Sequence, residues 1–129
     1  MPSRLQSPVI TARAKVWLEA NGEYVFGLGI GNILKAVDQE GSIKAAAEVV
    51  GKSYRHIWTR IKETERALGL SLVETTVGGH QPRRSELTRE AQALVRKFDR
   101  LHHRVHQLVE KESSSMLRAI GDSRETTAP

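Results

Sequence analysis

Basic and hydroxyl side chains recur on one side of a short segment of this chain. Arg55, Thr59 and Arg60 fall on the outer side of a helix predicted over residues 54–68. An arginine can bind guanine bidentately, and a threonine methyl can touch the thymine methyl. A solvated helix face is the alternative to this chemistry. We expect contacts with double-stranded DNA from this helix and its N-terminal flank through Ser53, Tyr54, Arg55, His56, Thr59 and Arg60.

A second basic group lies in a glycine-rich segment. Residues 70–77 and 85–87 predict two strands, and residues 78–84 (GGHQPRR) predict the loop between them. A hairpin that follows three helices in this way is a wing, whose basic loop suits phosphate or minor-groove contact. The expected wing contacts are His80, Arg83 and Arg84, with Lys44 and Lys52 as further phosphate contacts.

The helices that would position these residues have clear end signals. Ser42 and Ser53 are natural N-caps, and glycines end the helices predicted over residues 43–50 and 54–68. Two short helices joined by a glycine turn are typical of a helix-turn-helix. The apolar stripe predicted to face the core includes Trp58, whereas Tyr54 fits either packing or phosphate contact; its members are Tyr54, Ile57, Trp58, Ile61 and Leu68.

The N-terminal part predicts a β-hairpin over residues 9–27. Alternate residues from Ile10 to Leu18 are apolar, and Asn21-Gly22 is a strong signal for a two-residue turn. Residues 1–8 are expected to be flexible. A helix over about residues 31–39 follows, with Ile33, Leu34 and Val37 on one face.

The C-terminal part predicts a long helix over residues 88–112 with a narrow heptad seam. Such a seam favours pairing with a second copy of the chain, and packing on its own domain is the alternative. The predicted domain therefore covers residues 9–112, followed by a flexible tail over residues 113–129. The predicted dimerisation residues are Leu87, Ala91, Leu94, Phe98, Leu101, Val105 and Leu108.

Composition excludes several classes of protein. The chain has 129 residues, 20 Lys+Arg against 15 Asp+Glu, and no Cys, so disulfides and cysteine chemistry are absent. Most of the net charge of +5 lies between Lys44 and Arg89, which favours a polyanionic partner. The sequence shows no membrane span or signal peptide, which predicts a cytoplasmic protein. We expect no enzyme activity and no cofactor, because no set of nucleophile, base and orienting residue is recognisable. We also expect no metal site, since His102 and His106 lack a carboxylate or thiolate partner.

The helix-turn-helix segment resembles that of LysR-type regulators. The residues that carry this likeness are Gly41-Ser42-Ile43, Ala46-Ala47, Ser53, Ile61, Glu65, Leu68-Gly69, Leu72 and Leu87-Thr88. The sequence looks still more like the N-terminal domain of ModE-type molybdate-responsive regulators, and the likeness covers residues 28–110. The features that favour ModE are Ser53-Tyr54 with Trp58, Leu72-Val73-Glu74 and Gly78-Gly79.

The resemblance implies a dimeric transcriptional regulator whose third helix enters the major groove and whose last helix helps to pair the subunits. Thr75 and Ala91 depart from the family pattern, which often has Arg and Gly there. ModE regulators sense molybdate through C-terminal domains, and the 129 residues leave no room for one. Molybdate sensing is therefore not carried over, and any small-molecule effector stays open.

Together these features predict a mainly α fold with β-hairpins. It would be a winged helix-turn-helix with an N-terminal β-hairpin and a long C-terminal dimerisation helix. The leading hypothesis is a homodimeric, sequence-specific DNA-binding regulator, and more specifically a repressor. One alternative is a protein-interaction module that pairs with another regulator. Another is a single-domain oxyanion sensor.

Overall fold

A computed structural model describes residues 8–77 and 84–126 of the chain. Within these ranges two antiparallel hairpins and four helices confirm the mainly α, winged helix-turn-helix fold. Residues 16–101 form one compact unit, and the described residues 8–15 and 102–126 belong to a second. The elements are β1 (Trp17–Ala20), β2 (Glu23–Gly27), α1 (Leu28–Glu40), α2 (Ile43–Val50), α3 (Tyr54–Leu68), β3 (Val73–Thr76), β4 (Arg84–Leu87) and α4 (Arg89–Thr126).

The first hairpin turns where the sequence predicts, but it is shorter than residues 9–27. Asn21 and Gly22 have φ values of 53° and 83°, as a tight hairpin turn requires. The first strand begins only at Trp17, which pairs with Gly27, the last residue of β2. The predicted alternation persists nevertheless: even-numbered residues from 12 to 20 are partly buried, and their odd-numbered neighbours are exposed.

Helix α1 begins at Leu28, three residues before the predicted start. Gly29 and Gly31 therefore lie inside the helix, not in a turn that leads into it. A Cβ built on Gly31 would lie 3.8 Å from the buried Phe26 ring, so this ring packs against α1 at an ordinary contact distance. Ile33, Leu34 and Val37 are buried, as their spacing predicts.

One core is shared by the first hairpin, the helix-turn-helix and the start of α4. The rings of Phe26 and Phe98 meet edge to face with their centroids 5.2 Å apart. Ile30, Leu34 and Ile57 are fully buried around them. This core fixes α3 against the rest of the unit and leaves its N-terminal turn at the surface.

The wing is fastened at its base by two side chains. Glu65 Oε2 accepts hydrogen bonds from the backbone N–H groups of Leu72 and Val73 at 2.7 and 3.3 Å. The Thr88 hydroxyl donates to the Ser71 carbonyl at 2.8 Å, and its oxygen also accepts the N–H at the start of α4 at 3.1 Å. The ladder pairs Val73 with Leu87 and Thr76 with Arg84, so β3 is shorter than the strand predicted over residues 70–77.

Helix α4 continues to Thr126, well beyond the predicted end at residue 112. The residues from Ser113 onwards were predicted to form a flexible tail. However, the Ser113 and Ser114 hydroxyls donate to the carbonyls of Glu110 and Lys111, so they satisfy helical carbonyl groups and do not break the helix. Residues 113–126, predicted as part of a flexible tail, are helical.

The heptad seam of α4 has two different environments. Leu87, Ala91 and Phe98 are buried in the core of their own chain, and Leu94 packs against that core. Val95, which is outside the seam, is also buried, so the apolar stripe here is wider than a coiled-coil seam. The intramolecular alternative therefore holds for this part. Farther along, Leu101 and Leu108 are 42% and 56% exposed and Val105 is partly buried.

Among the described residues, no helix has both the length and the apolar character that a membrane crossing requires.

Candidate nucleic-acid interface

The turn between α2 and α3 determines where the third helix starts. Gly51 takes the left-handed conformation with φ of 72°, and the Lys52 N–H donates to the Ala47 carbonyl at 3.0 Å. Ser53 Oγ then accepts the His56 N–H at 3.0 Å and begins α3, as predicted for an N-cap. In this cap the side-chain oxygen of Ser53 is an acceptor. A phosphate also accepts, so Ser53 would contact it by donating its hydroxyl proton or its N–H.

Small residues hold α2 close to α3. Ala46 and Ala47 are 0% and 3% exposed, and Ile57 and Ile61 of α3 are equally buried in the same core. Short side chains at a helix crossing allow close approach of the two backbones. The recognition-helix candidate is therefore seated on a rigid support, and its polar side is free to meet a partner.

The outer side of α3 brings five of the predicted DNA contacts together. Arg55 and His56 are exposed, and Thr59 and Arg60 are partly buried. Since these positions belong to the first two turns of the helix, they are the ones that reach base edges in a helix-turn-helix complex. One shallow surface cleft is lined by Ser53, Arg55, His56, Thr59, Arg60 and Glu63.

Arg60 lies at the inner margin of this group. A Cβ built on Gly29 would be 4.0 Å from the Arg60 guanidinium, so the side chain extends along α3 towards the first turn of α1. Arg55 is exposed in the first turn of α3, whereas Arg60 is partly buried.

Trp58 does not lie in the core, which corrects the sequence prediction. It is 45% exposed, and Tyr54, one turn earlier, is 49% exposed. The buried side of α3 is formed by Ile57, Ile61 and Thr64, whose hydroxyl is satisfied by the Arg60 carbonyl at 2.9 Å. Trp58 follows Ile57 by about 100° around the helix axis, which turns its ring towards the wing and away from the core.

The wing-facing side of α3 borders a cavity of about 660 Å³. Lys44 and Tyr54, both predicted as contacts, lie here and not with the outer group. Lys52 is exposed in the α2–α3 turn and lines neither surface. The cavity is lined by Ser42, Ile43, Lys44, Tyr54, Trp58, Ile61, Lys62, Val73, Thr75 and Ser85.

The wing residues are only partly within the described ranges. His80 and Arg83 lie outside them. Arg84, predicted for the loop, begins strand β4, where its Nε donates to Glu86 at 2.8 Å. A Cβ on Gly41 would lie 3.5 Å from the Arg84 guanidinium, so this side chain extends over the α1–α2 turn. Arg84 is therefore engaged within its own chain while it remains exposed to solvent.

Two residues of this surface were not predicted as contacts. Trp58 was assigned to the core, and Lys62 was counted only as part of the polar face. The signal that connects them is their spacing of four, which places an ammonium group one turn from an aromatic ring. In the structure Lys62 Nζ lies 5.8 Å from the Trp58 ring centroid.

The histidines of α4 do not form part of a metal site among the described residues. The Nε2 atoms of His102 and His106 lie 3.2 Å apart. Nowhere in the described ranges do three or more His, Asp or Glu side chains come together as a metal would require.

The comparisons with known proteins agree with this geometry. Residues 32–92 match the family described as "Bacterial regulatory helix-turn-helix protein, lysR family". This segment runs from α1 through the wing to the first turn of α4 and includes both surfaces of α3. No curated protein matches the chain in sequence.

Solved structures match the fold. The CbnR DBD–DNA complex aligns with a TM-score of 0.53 and 23% identity, over 68% of this chain and 95% of that one. The BenM DBD in complex with benA site 1 DNA aligns with a TM-score of 0.50 and 24% identity, over 72% and 93%. Full-length CbnR with its target DNA has a TM-score of 0.51 and 22% identity, and the alignment covers 67% of this chain but 28% of that protein. Residues 32–92 are thus similar to the helix-turn-helix of the lysR family, and the chain shares the fold of these DNA-binding domains.

Proposed function

We propose that the protein is a homodimeric transcriptional regulator that binds specific double-stranded DNA sequences in the cytoplasm. The outer surface of α3 enters the major groove, and the wing flanks it. The observation that carries this proposal is that four predicted contacts lie together on one surface at the start of α3. They are its N-cap Ser53 and, in its first two turns, Arg55, His56 and Thr59. Similar domains are bound to DNA in the CbnR and BenM complexes.

The distal part of the α4 seam supports the dimer. Leu101 and Leu108 remain exposed at heptad spacing on a helix that continues to Thr126. Exposed apolar residues in register on a long helix favour a partner helix. Two recognition helices would then address half-sites about 34 Å apart, one turn of the duplex.

The finer character of the regulator is also proposed. The residues Ser53-Tyr54 and Trp58 in α3 support a ModE-like type. Repression would follow from occupation of a promoter, since a bound dimer excludes other proteins from that stretch of duplex. A promoter–reporter measurement with and without the protein shows whether transcription rises or falls. Increased transcription would contradict repression.

The test is selection of duplexes from a random pool, followed by binding titrations at two salt concentrations. We expect a palindromic sequence to be enriched, and Arg55→Ala to weaken binding to it by about tenfold or more, the value of a bidentate base contact. The matched control is Arg100→Ala, which removes an exposed arginine from α4. Uniform binding that disappears at higher salt, or equal losses in the two variants, would contradict specific recognition by α3.

The dimer has its own test. Replacing Leu101 and Leu108 with Lys should convert the protein to a monomer in sedimentation experiments and abolish binding to the palindrome. The control is Gln107→Lys, which adds charge at an exposed position outside the seam. If the wild-type protein is monomeric, the exposed residues instead favour the second candidate function, pairing with a different regulator through α4.

A further inference from the structure

Two large aromatic side chains stand at the surface of α3 beside the wing. Tyr54 and Trp58 are one turn apart and about half exposed, although Ile57 between them is completely buried. Aromatic rings dominate the energetics of contacts because each can bury a large area. Adjacent exposed rings on a structured helix mark a surface that gains free energy when a partner covers it.

The cavity beside these rings has a specific chemical character. Its lining includes the apolar residues Ile43, Ile61 and Val73. Ser42, Thr75 and Ser85 also line it; the Ser42 hydroxyl caps α2, and the Thr75 and Ser85 hydroxyls are bonded to each other at 3.2 Å. Lys44 and Lys62 also line it, Lys62 being paired with Glu65, and among the residues that the structure describes no Asp or Glu is part of the lining. The complementary partner is therefore anionic and also presents apolar groups.

The Trp58 ring has a cationic neighbour that is linked to the base of the wing. Lys62 Nζ lies 5.8 Å from the ring centroid and 3.2 Å from the Glu65 carboxylate. Glu65 in turn accepts the N–H groups of Leu72 and Val73. The Trp58 ring thus lies beside a cation that is paired with the residue bonded to the base of the wing.

Duplex DNA fits both requirements. Its phosphates carry the negative charge, and the thymine 5-methyl group is an apolar feature on the base edges of the major groove. Tyr54 and Arg55 are consecutive residues of the first turn of α3, so the aromatic surface adjoins the outer surface directly. A helix in the major groove can contact both sides of that groove at once.

We propose that Trp58, supported by Tyr54, is a specificity-determining residue that contacts thymine methyl groups in the major groove. This inference rests on the proposed function and adds a chemical preference to it. Lys44 and Lys62 accompany the rings as the cations that face phosphate, while Arg55 and Thr59 read neighbouring positions from the outer surface.

The test removes only the methyl group. In the selected duplex, each thymidine is replaced in turn by deoxyuridine, and the affinity of wild type and of Trp58→Ala is measured. Burial of one methyl corresponds to about a fourfold change in affinity. We expect a loss of this size at one or more positions with wild type and none at those positions with Trp58→Ala.

Trp58→Phe and Trp17→Phe are the matched variants. The first retains a ring and should retain most of the sensitivity to deoxyuridine. The second changes an exposed tryptophan of β1 and should leave that sensitivity unchanged. It also leaves Trp58 as the only tryptophan of the chain, so its fluorescence should change when the selected duplex is added.

The outcomes separate the two proposals. If wild type selects no sequence, the proposed function and this inference both fail. If wild type selects a sequence but deoxyuridine weakens binding equally in wild type and Trp58→Ala, only this inference is overturned. Unchanged affinity in Trp58→Ala, with no change of Trp58 fluorescence, would likewise overturn it and direct attention to a protein or small organic anion as the occupant.

Discussion

Helices α3 and α4 both carry an apolar stripe, but the stripe is divided differently in each. In α3 the division runs around the helix: Ile57 and Ile61 are buried, and Trp58, on the adjacent side, is half exposed. In α4 it runs along the helix, since Phe98 is buried and Leu101, one turn later, is 42% exposed. Apolar spacing therefore identifies the residues that tend to be buried. The packing of each helix determines which of them are buried within their own chain.

The largest expected loss of stability tests the change from buried to exposed apolar residues along α4. Phe98→Ala removes the ring packed against Phe26 and should cost about 3–5 kcal/mol of unfolding free energy. The loss should be the same at all protein concentrations. If the proposed dimer covers the half-exposed Leu101, Leu101→Ala should lower the melting temperature by an amount that depends on protein concentration. Equal, concentration-independent losses would contradict the distinction.

The next largest loss of stability tests the difference between the buried and the half-exposed sides of α3. Ile61→Ala leaves a cavity at a residue that is 1% exposed and should cost about 2–5 kcal/mol. Trp58→Phe keeps a ring at the half-exposed position and should cost less than about 1 kcal/mol. Urea unfolding with a common slope measures both. A larger loss for Trp58→Phe would show that the tryptophan serves mainly to hold the fold together.

A smaller effect is expected where each helix holds the base of the wing. Glu65→Ala removes the acceptor from two backbone N–H groups, and Thr88→Ala removes both a donor and the cap of α4. Each should cost about 1–3 kcal/mol. Glu65→Gln and Thr88→Ser retain an oxygen at each site and should recover most of the loss. If neither variant recovers stability in thermal denaturation, the loss does not come from the missing hydrogen bonds.

The smallest effect is expected where α1 and α4 meet at the surface. Lys35 Nζ and the Asp99 carboxylate are 2.7 Å apart, with both side chains well exposed to solvent. Lys35→Met keeps the aliphatic stem and should change the unfolding free energy by less than about 1 kcal/mol. A double-mutant cycle with Asp99→Asn measures the pair, and a coupling of several kcal/mol would contradict this estimate.

The sequence predicted best those features that depend on local chemistry. Residues 43–50 and 54–68 are helical as expected because Ser42, Ser53 and the following glycines are strong local end signals. The Asn21-Gly22 turn was predicted for the same reason. The grouping of Ser53, Arg55, His56 and Thr59 followed from helical spacing alone.

The errors arose where neighbours decide the outcome. Periodicity places Trp58 near the buried side of α3, but it does not say that Ile57, Ile61 and Thr64 already fill the core. Likewise, Arg84 was expected in a loop, whereas its pairing with Thr76 makes it part of β4. The C-terminal segment illustrates a different difficulty: residues 113–129 were predicted as a flexible tail, whereas α4 continues to Thr126 and the Ser113 hydroxyl donates to the Glu110 carbonyl within it.

The fastening of the wing by Glu65 and Thr88 has a consequence for hydrogen exchange. The amides of Leu72 and Thr88 cannot open by fraying of the hairpin alone, since one is bonded to α3 and the other donates to the Leu72 carbonyl at 2.9 Å. Their exchange requires separation of the wing from the helices on either side of it. These amides should therefore exchange with the slow, cooperative unit of the core, while those farther along the hairpin exchange by local opening.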